Sequence, residues 1–205
     1  MTYVPAVIVL MLIYMTSLVG LTNDTQFSWY LGYSNLFIIL HTLFLLLYHK
    51  TWNKPMLIFS AIAMFLPLII DCAVLCTDLL GTQFAYREHF STLNCCGVPL
   101  IMGLYWFNWN YSSAYLSSKL PINNNLLLSL TGALMILIGI TLVHLVIPHL
   151  GFWEETSWVY LALWTVIGFM VQYSYHALEV KAENSMALYV YGGMLIFFSG
   201  LVMFL

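Results

Sequence analysis

The chain has 205 residues, 62% of them hydrophobic and 6% charged, with five Lys or Arg, eight Asp or Glu and a formal net charge of −3. So few charges leave no basic patch to neutralise phosphates and no acidic tail to solvate a partner, which excludes nucleic-acid binding as a main activity. The composition lies far outside the globular norm and predicts an all-α, polytopic transmembrane bundle forming a single domain, with membrane lipid as its first partner.

About 20 apolar residues are needed to cross about 30 Å of hydrocarbon, and seven stretches of that kind follow one another along the chain. The first, residues 3–21, lacks a basic start and a small-residue cleavage pattern, so it is expected to be a retained span rather than a removed signal. The others are expected at 27–48, 55–80, 94–118, 123–147, 156–178 and 185–205. Polar punctuation separates them: Thr22 to Gln26, His49 to Pro55, the segment around Arg87, Lys119 to Asn124, Pro148 to Glu155 and Glu179 to Asn184. Pro67 and Pro99 fall inside expected spans, at positions where a helix would kink.

With the N-terminus in the cytoplasm and the C-terminus outside, Lys50, Lys54, Lys119 and Lys181 fall in cytoplasmic loops and only Arg87 lies outside. Basic residues accumulate on the cytoplasmic side, so this orientation in the cell membrane is the expected one. Trp29, Trp52, Trp153 and Trp158 then sit near the interfaces, where indole rings commonly anchor a helix. Cys72, Cys76 and the pair Cys95-Cys96 form no CxxC motif and no secreted-domain framework, and are expected to be small packing residues.

An ionisable group in the middle of a span costs several kcal/mol, so each one is a functional pointer. Asp71 lies deep in the third span, and Asp78 follows two helical turns later on nearly the same face, about 10 Å along the axis. His144, near the outer end of the fifth span, reaches a comparable height and is expected to face Asp71. Tyr86, Glu88, His89, Glu154 and Glu155 would form a polar rim above them. A second group, His41, Asn108, Asn110, Tyr111, Gln172 and His176, lies toward the cytoplasmic side and reads mainly as interhelical hydrogen bonding.

Other chemistries lack their signatures. The histidines never recur at i, i+4 and HExxH is absent, so no metal is expected. GxSxG, Walker and GxGxxG motifs are likewise missing, and no cofactor is expected. What remains is acid–base chemistry: an apolar chamber favours the protonated form of a carboxyl, which suits it to act as a general acid.

The segment Gly97 to Ser113, GVPLIMGLYWFNWNYSS, resembles the central motif of the membrane carotenoid-biosynthesis family that includes the C50-carotenoid hydratases. The preceding Asp71, Asp78 and Gly81 to Tyr86 look like that family's acidic helix end and Gly/Phe/Tyr-rich loop, and the likeness runs to Trp153. The chain departs from the pattern before Pro148, where Val143, His144 and Ile147 stand in place of acidic residues. The resemblance implies an enzyme acting on a carotenoid or polyisoprenoid by protonating an alkene, as a hydratase or cyclase. Asp71, Asp78 and His144 would then be catalytic, while Tyr86, Trp106, Asn110 and Tyr111 would bind the substrate. Trp106, Phe107, Trp109 and Tyr111 offer ring faces to a cation. The competing expectation is a membrane protein without catalysis, either a small proton-coupled carrier or an assembly subunit.

Overall fold

The computed structural model describes residues 54–77, 85–86, 94–100, 102–146, 153–155 and 158–180, with backbone alone for 85–86, 142–146 and 153–155. The spans expected at 3–21, 27–48 and 185–205 lie outside the described residues, as do Asp78, His41, Glu88 and His89. The side chains of Tyr86, His144, Glu154 and Glu155 also lie outside them.

Four helices dominate the described residues: α1 (Lys54–Thr77), α2 (Met102–Ser117), α3 (Asn125–Val146) and α4 (Trp158–Ala177). The fold is all-α apart from short strand pairs, β1 (Ala85–Tyr86) with β4 (Trp153–Glu155), and β2 (Asn94–Cys95) with β3 (Val98–Pro99). Among the described residues, α1 is the one helix long and apolar enough to cross a membrane.

The start of α3 and the end of α4 have local causes. The Asn124 side chain caps α3 by accepting hydrogen bonds from the backbone N–H groups of Leu126 and Leu127 at 2.9 and 3.2 Å. At the end of α4, Glu179 takes a left-handed φ of 52°. The Val180 N–H then reaches back to the Tyr175 carbonyl at 3.1 Å, closing the helix end. Several hydroxyls within the helices return to their own backbone, among them Ser60, which donates to Met56 O at 2.8 Å, and Thr165, which donates to Leu161 O at 2.7 Å. Such back-bonding satisfies a hydroxyl without water.

One expected span starts late. Residues 94–101 were expected to open a helix running from 94 to 118, but Asn94–Cys95 and Val98–Pro99 form a tight antiparallel hairpin and the helix begins at Met102. The two turn residues, Cys96 and Gly97, both have positive φ, 53° and 81°. That combination fits a two-residue hairpin and is incompatible with a helix. Pro99 accordingly sits in a strand and kinks no helix, whereas Pro67 is inside α1 and buried.

α4 packs against all three of the other helices, and so does α2. Twelve of its 16 residues are buried, which is why its polar and apolar residues show no one-sided pattern. Close approach comes from small residues: a Cβ at Gly103 would lie 3.1 Å from the Met64 carbonyl oxygen, and one at Gly132 would overlap the Gln172 side chain.

Large apolar side chains stand on the outer faces of the described helices while several polar ones are buried. Leu57, Phe65 and Ile69 on α1, Leu126, Leu130, Leu134 and Ile138 on α3, and Val166 and Met170 on α4 all face outward. Asp71, Asn108, Asn110, Ser112, Ser113, Ser117, Ser129 and Gln172 are buried.

Candidate functional site

Along α1 the buried positions are Met56, Phe59, Ser60, Ala63, Pro67, Asp71 and Val74. Their spacing of three and four residues makes one inward stripe, and Asp71 is part of it. Its exposure is 0%, so the carboxyl has left both water and the outer apolar face. The partner comes from α4, where the Trp164 indole Nε1 donates to Asp71 Oδ1 at 2.9 Å. A buried carboxyl without such a donor would suffer its whole desolvation penalty, so the indole is central to its placement.

Trp164 belongs to a group of rings. Its centroid lies 5.2 Å from Tyr160 and 6.2 Å from Trp106, both tilted. The Trp106 Nε1 is buried with no hydrogen-bond partner among the described residues. An acid bonded to one ring of such a group can donate a proton, and ring faces can stabilise the cation that results.

The other expected substrate-binding residues of α2 go elsewhere. Asn110 faces α4 at the level of Gln172, whose Nε2 donates to the Asn110 backbone carbonyl at 2.8 Å and to its Oδ1 at 3.3 Å. The Asn110 Nδ2 in turn donates to the Trp106 carbonyl at 2.9 Å. Tyr111 packs into a separate ring group, 5.8 Å from Phe107 and 6.4 Å from Phe59, which is 5.1 Å from Tyr175. One turn further, Ser117 Oγ and His176 Nε2 form a hydrogen bond at 3.3 Å. Asn108 is buried and donates to its own helix at Leu104 O, 2.7 Å away. The four α2 aromatics expected to act together are therefore divided, because Trp106 and Tyr111 point to different neighbours.

The loops expected as a rim meet through their backbones: Ala85 pairs with Glu155 and Tyr86 with Trp153. Beside them in sequence, the hairpin turn is tied to α1 by a disulfide between Cys76 and Cys96, whose Cα atoms are 5.6 Å apart. The expectation that all four cysteines were simple packing residues is thus corrected for these two. Cys72 and Cys95 are free thiols.

Trp164 and the disulfide are the features that reading by residue type missed. Trp164 could have been found as a tryptophan in mid-span, far from either interface. The cysteines could have been found from Cys72 and Cys76, one helical turn apart, followed by a Cys-Cys-Gly turn. Among the described residues no group of three or more His, Cys, Asp or Glu is placed to hold a metal ion. No family model, no curated protein and no solved structure matches the chain.

Proposed function

We propose that the protein is a multi-pass membrane enzyme of seven spans, acting on a carotenoid or polyisoprenoid by protonating a carbon–carbon double bond. The observation that carries this reading is the completely buried Asp71 carboxyl bonded to one ring, Trp164, of the Trp106, Tyr160 and Trp164 group. In the proposed step the Asp71 carboxylic acid gives its proton to one alkene carbon, and the neighbouring carbon becomes a cation facing the rings. The Trp164 N–H steadies the carboxylate left behind. Water adds to the cation and its surplus proton returns to Asp71, so the net change is addition of one water. Capture by a second alkene of the same chain would give a ring instead.

A membrane setting is supported by the apolar outward faces of α1, α3 and α4, since soluble monomers rarely expose large contiguous apolar patches. The cytoplasmic N-terminus is supported by the basic residues of the even-numbered loops and by the position of the disulfide. Cys76 lies at the end of α1 opposite Lys54, and disulfides persist on the oxidising side of a membrane.

A second reading is favoured by the Trp164 hydrogen bond itself, because a carboxyl engaged in pairing α1 with α4 can serve assembly alone. Asp71→Asn separates the two. Its amide oxygen still accepts from the indole, so the fold is kept, while the acid is gone. Lipid extracts of cells expressing the native chain should contain a polyene heavier by one water, and extracts of cells expressing Asp71→Asn should lack it. Equal product from both would remove Asp71 as the acid; no new lipid from either would favour the assembly reading.

A further inference from the structure

We propose that Cys72 and Cys95 are a reactive dithiol which, beside the Cys76–Cys96 disulfide, makes the outer end of α1 a thiol–disulfide exchange site for small disulfides. All four cysteines of the chain converge there. Cys72 lies one helical turn before Cys76 on α1, and Cys95 immediately precedes Cys96 in the hairpin. The Cys72 thiol donates to the Cys95 carbonyl at 3.4 Å, which sets the Cys72 sulfur against the backbone of Cys95. The existing disulfide holds the same two segments together, so little chain entropy remains to be lost in bringing the second pair into contact.

Exposure assigns the roles. Cys95 is exposed and Cys72 only partly so, which makes Cys95 the entering thiol and Cys72 the resolving one. The Cys95 thiolate attacks one sulfur of a small disulfide, forming a mixed disulfide and releasing the first small thiol, which takes up the proton lost by Cys95. The Cys72 thiolate then attacks the Cys95 sulfur, closing Cys72–Cys95 and releasing the second small thiol with the proton lost by Cys72. One small disulfide is reduced to two thiols while two protein thiols become one disulfide, so electrons and atoms balance.

The test uses the full chain in detergent micelles, oxidised glutathione as the probe, and acid quenching followed by alkylation and peptide mass analysis. The native chain should go from two alkylatable thiols to none, release two glutathione thiols per chain and retain no glutathione. Cys72→Ser should stop at the first step, keeping one glutathione on Cys95. In a Cys76→Ser, Cys96→Ser double variant, the peptides carrying Cys72 and Cys95 should become joined by oxidation alone. Two thiols still open to alkylation in the treated native chain, or glutathione stably retained on Cys95, would overturn the proposal even if every variant failed to fold.

Discussion

Two layers of polar contact cross the interior at different heights, and they handle the same problem differently. In the amide layer, neutral groups from α2 and α4 meet: Gln172 with Asn110, and Ser117 with His176. In the carboxyl layer, an ionisable group on α1 meets an indole donor on α4. Amides and hydroxyls that exchange hydrogen bonds between helices are accounted for by helix association, at about 0.6–2 kcal/mol each. A carboxyl has a far larger desolvation cost for the same mechanical service, which is why the carboxyl layer, and not the amide layer, points to chemistry.

The largest expected effect strikes the amide layer through packing. Gly132→Leu places side-chain atoms where the Gln172 amide lies, and that amide cannot swing away without leaving Asn110. The loss should be about 3 kcal/mol, read as a fall in the unfolding midpoint in detergent. Survival of this variant at the native midpoint would mean that α3 and α4 do not approach as closely as Gly132 permits. Next, Trp164→Phe keeps a ring but deletes the donor to Asp71, and should cost about 2 kcal/mol. Pairing it with Asp71→Leu, which removes the orphaned carboxyl, should recover part of that loss. Additive losses in the double variant would break the idea that the two side chains act as a pair. The smallest effect is expected for Gln172→Leu, about 1 kcal/mol, because only neutral hydrogen bonds go. A cost above that of Trp164→Phe would reverse the ranking of the layers.

Much of the helical frame is visible in residue order. The expected spans 55–80, 123–147 and 156–178 overlap the helices Lys54–Thr77, Asn125–Val146 and Trp158–Ala177, since each is a long apolar run bounded by Pro, Asn or polar punctuation. The span expected from residue 94 failed at its start because apolar content does not distinguish a hairpin from a helix end. The Cys96-Gly97 turn, with its positive φ angles, was the overriding local signal. Asp71 stands out in sequence as a charge in an apolar run. Its partner does not, because Trp164 is 93 residues away and a tryptophan in a span is apolar bulk until a neighbour is found for its N–H.

Residue order by itself determined that long apolar runs dominate the chain, that three of them become helices, and that Asp71 interrupts one of these runs. Tertiary structure decided which ring bonds that carboxyl, that Asn110 belongs with Gln172 while Tyr111 belongs with Phe59, and that Cys76 finds Cys96. The reason is physical: burial preference is a property of each side chain and can be summed along a sequence. A directional contact depends on two backbones arriving within about 3 Å at the right rotation, and helix packing across distant segments sets that.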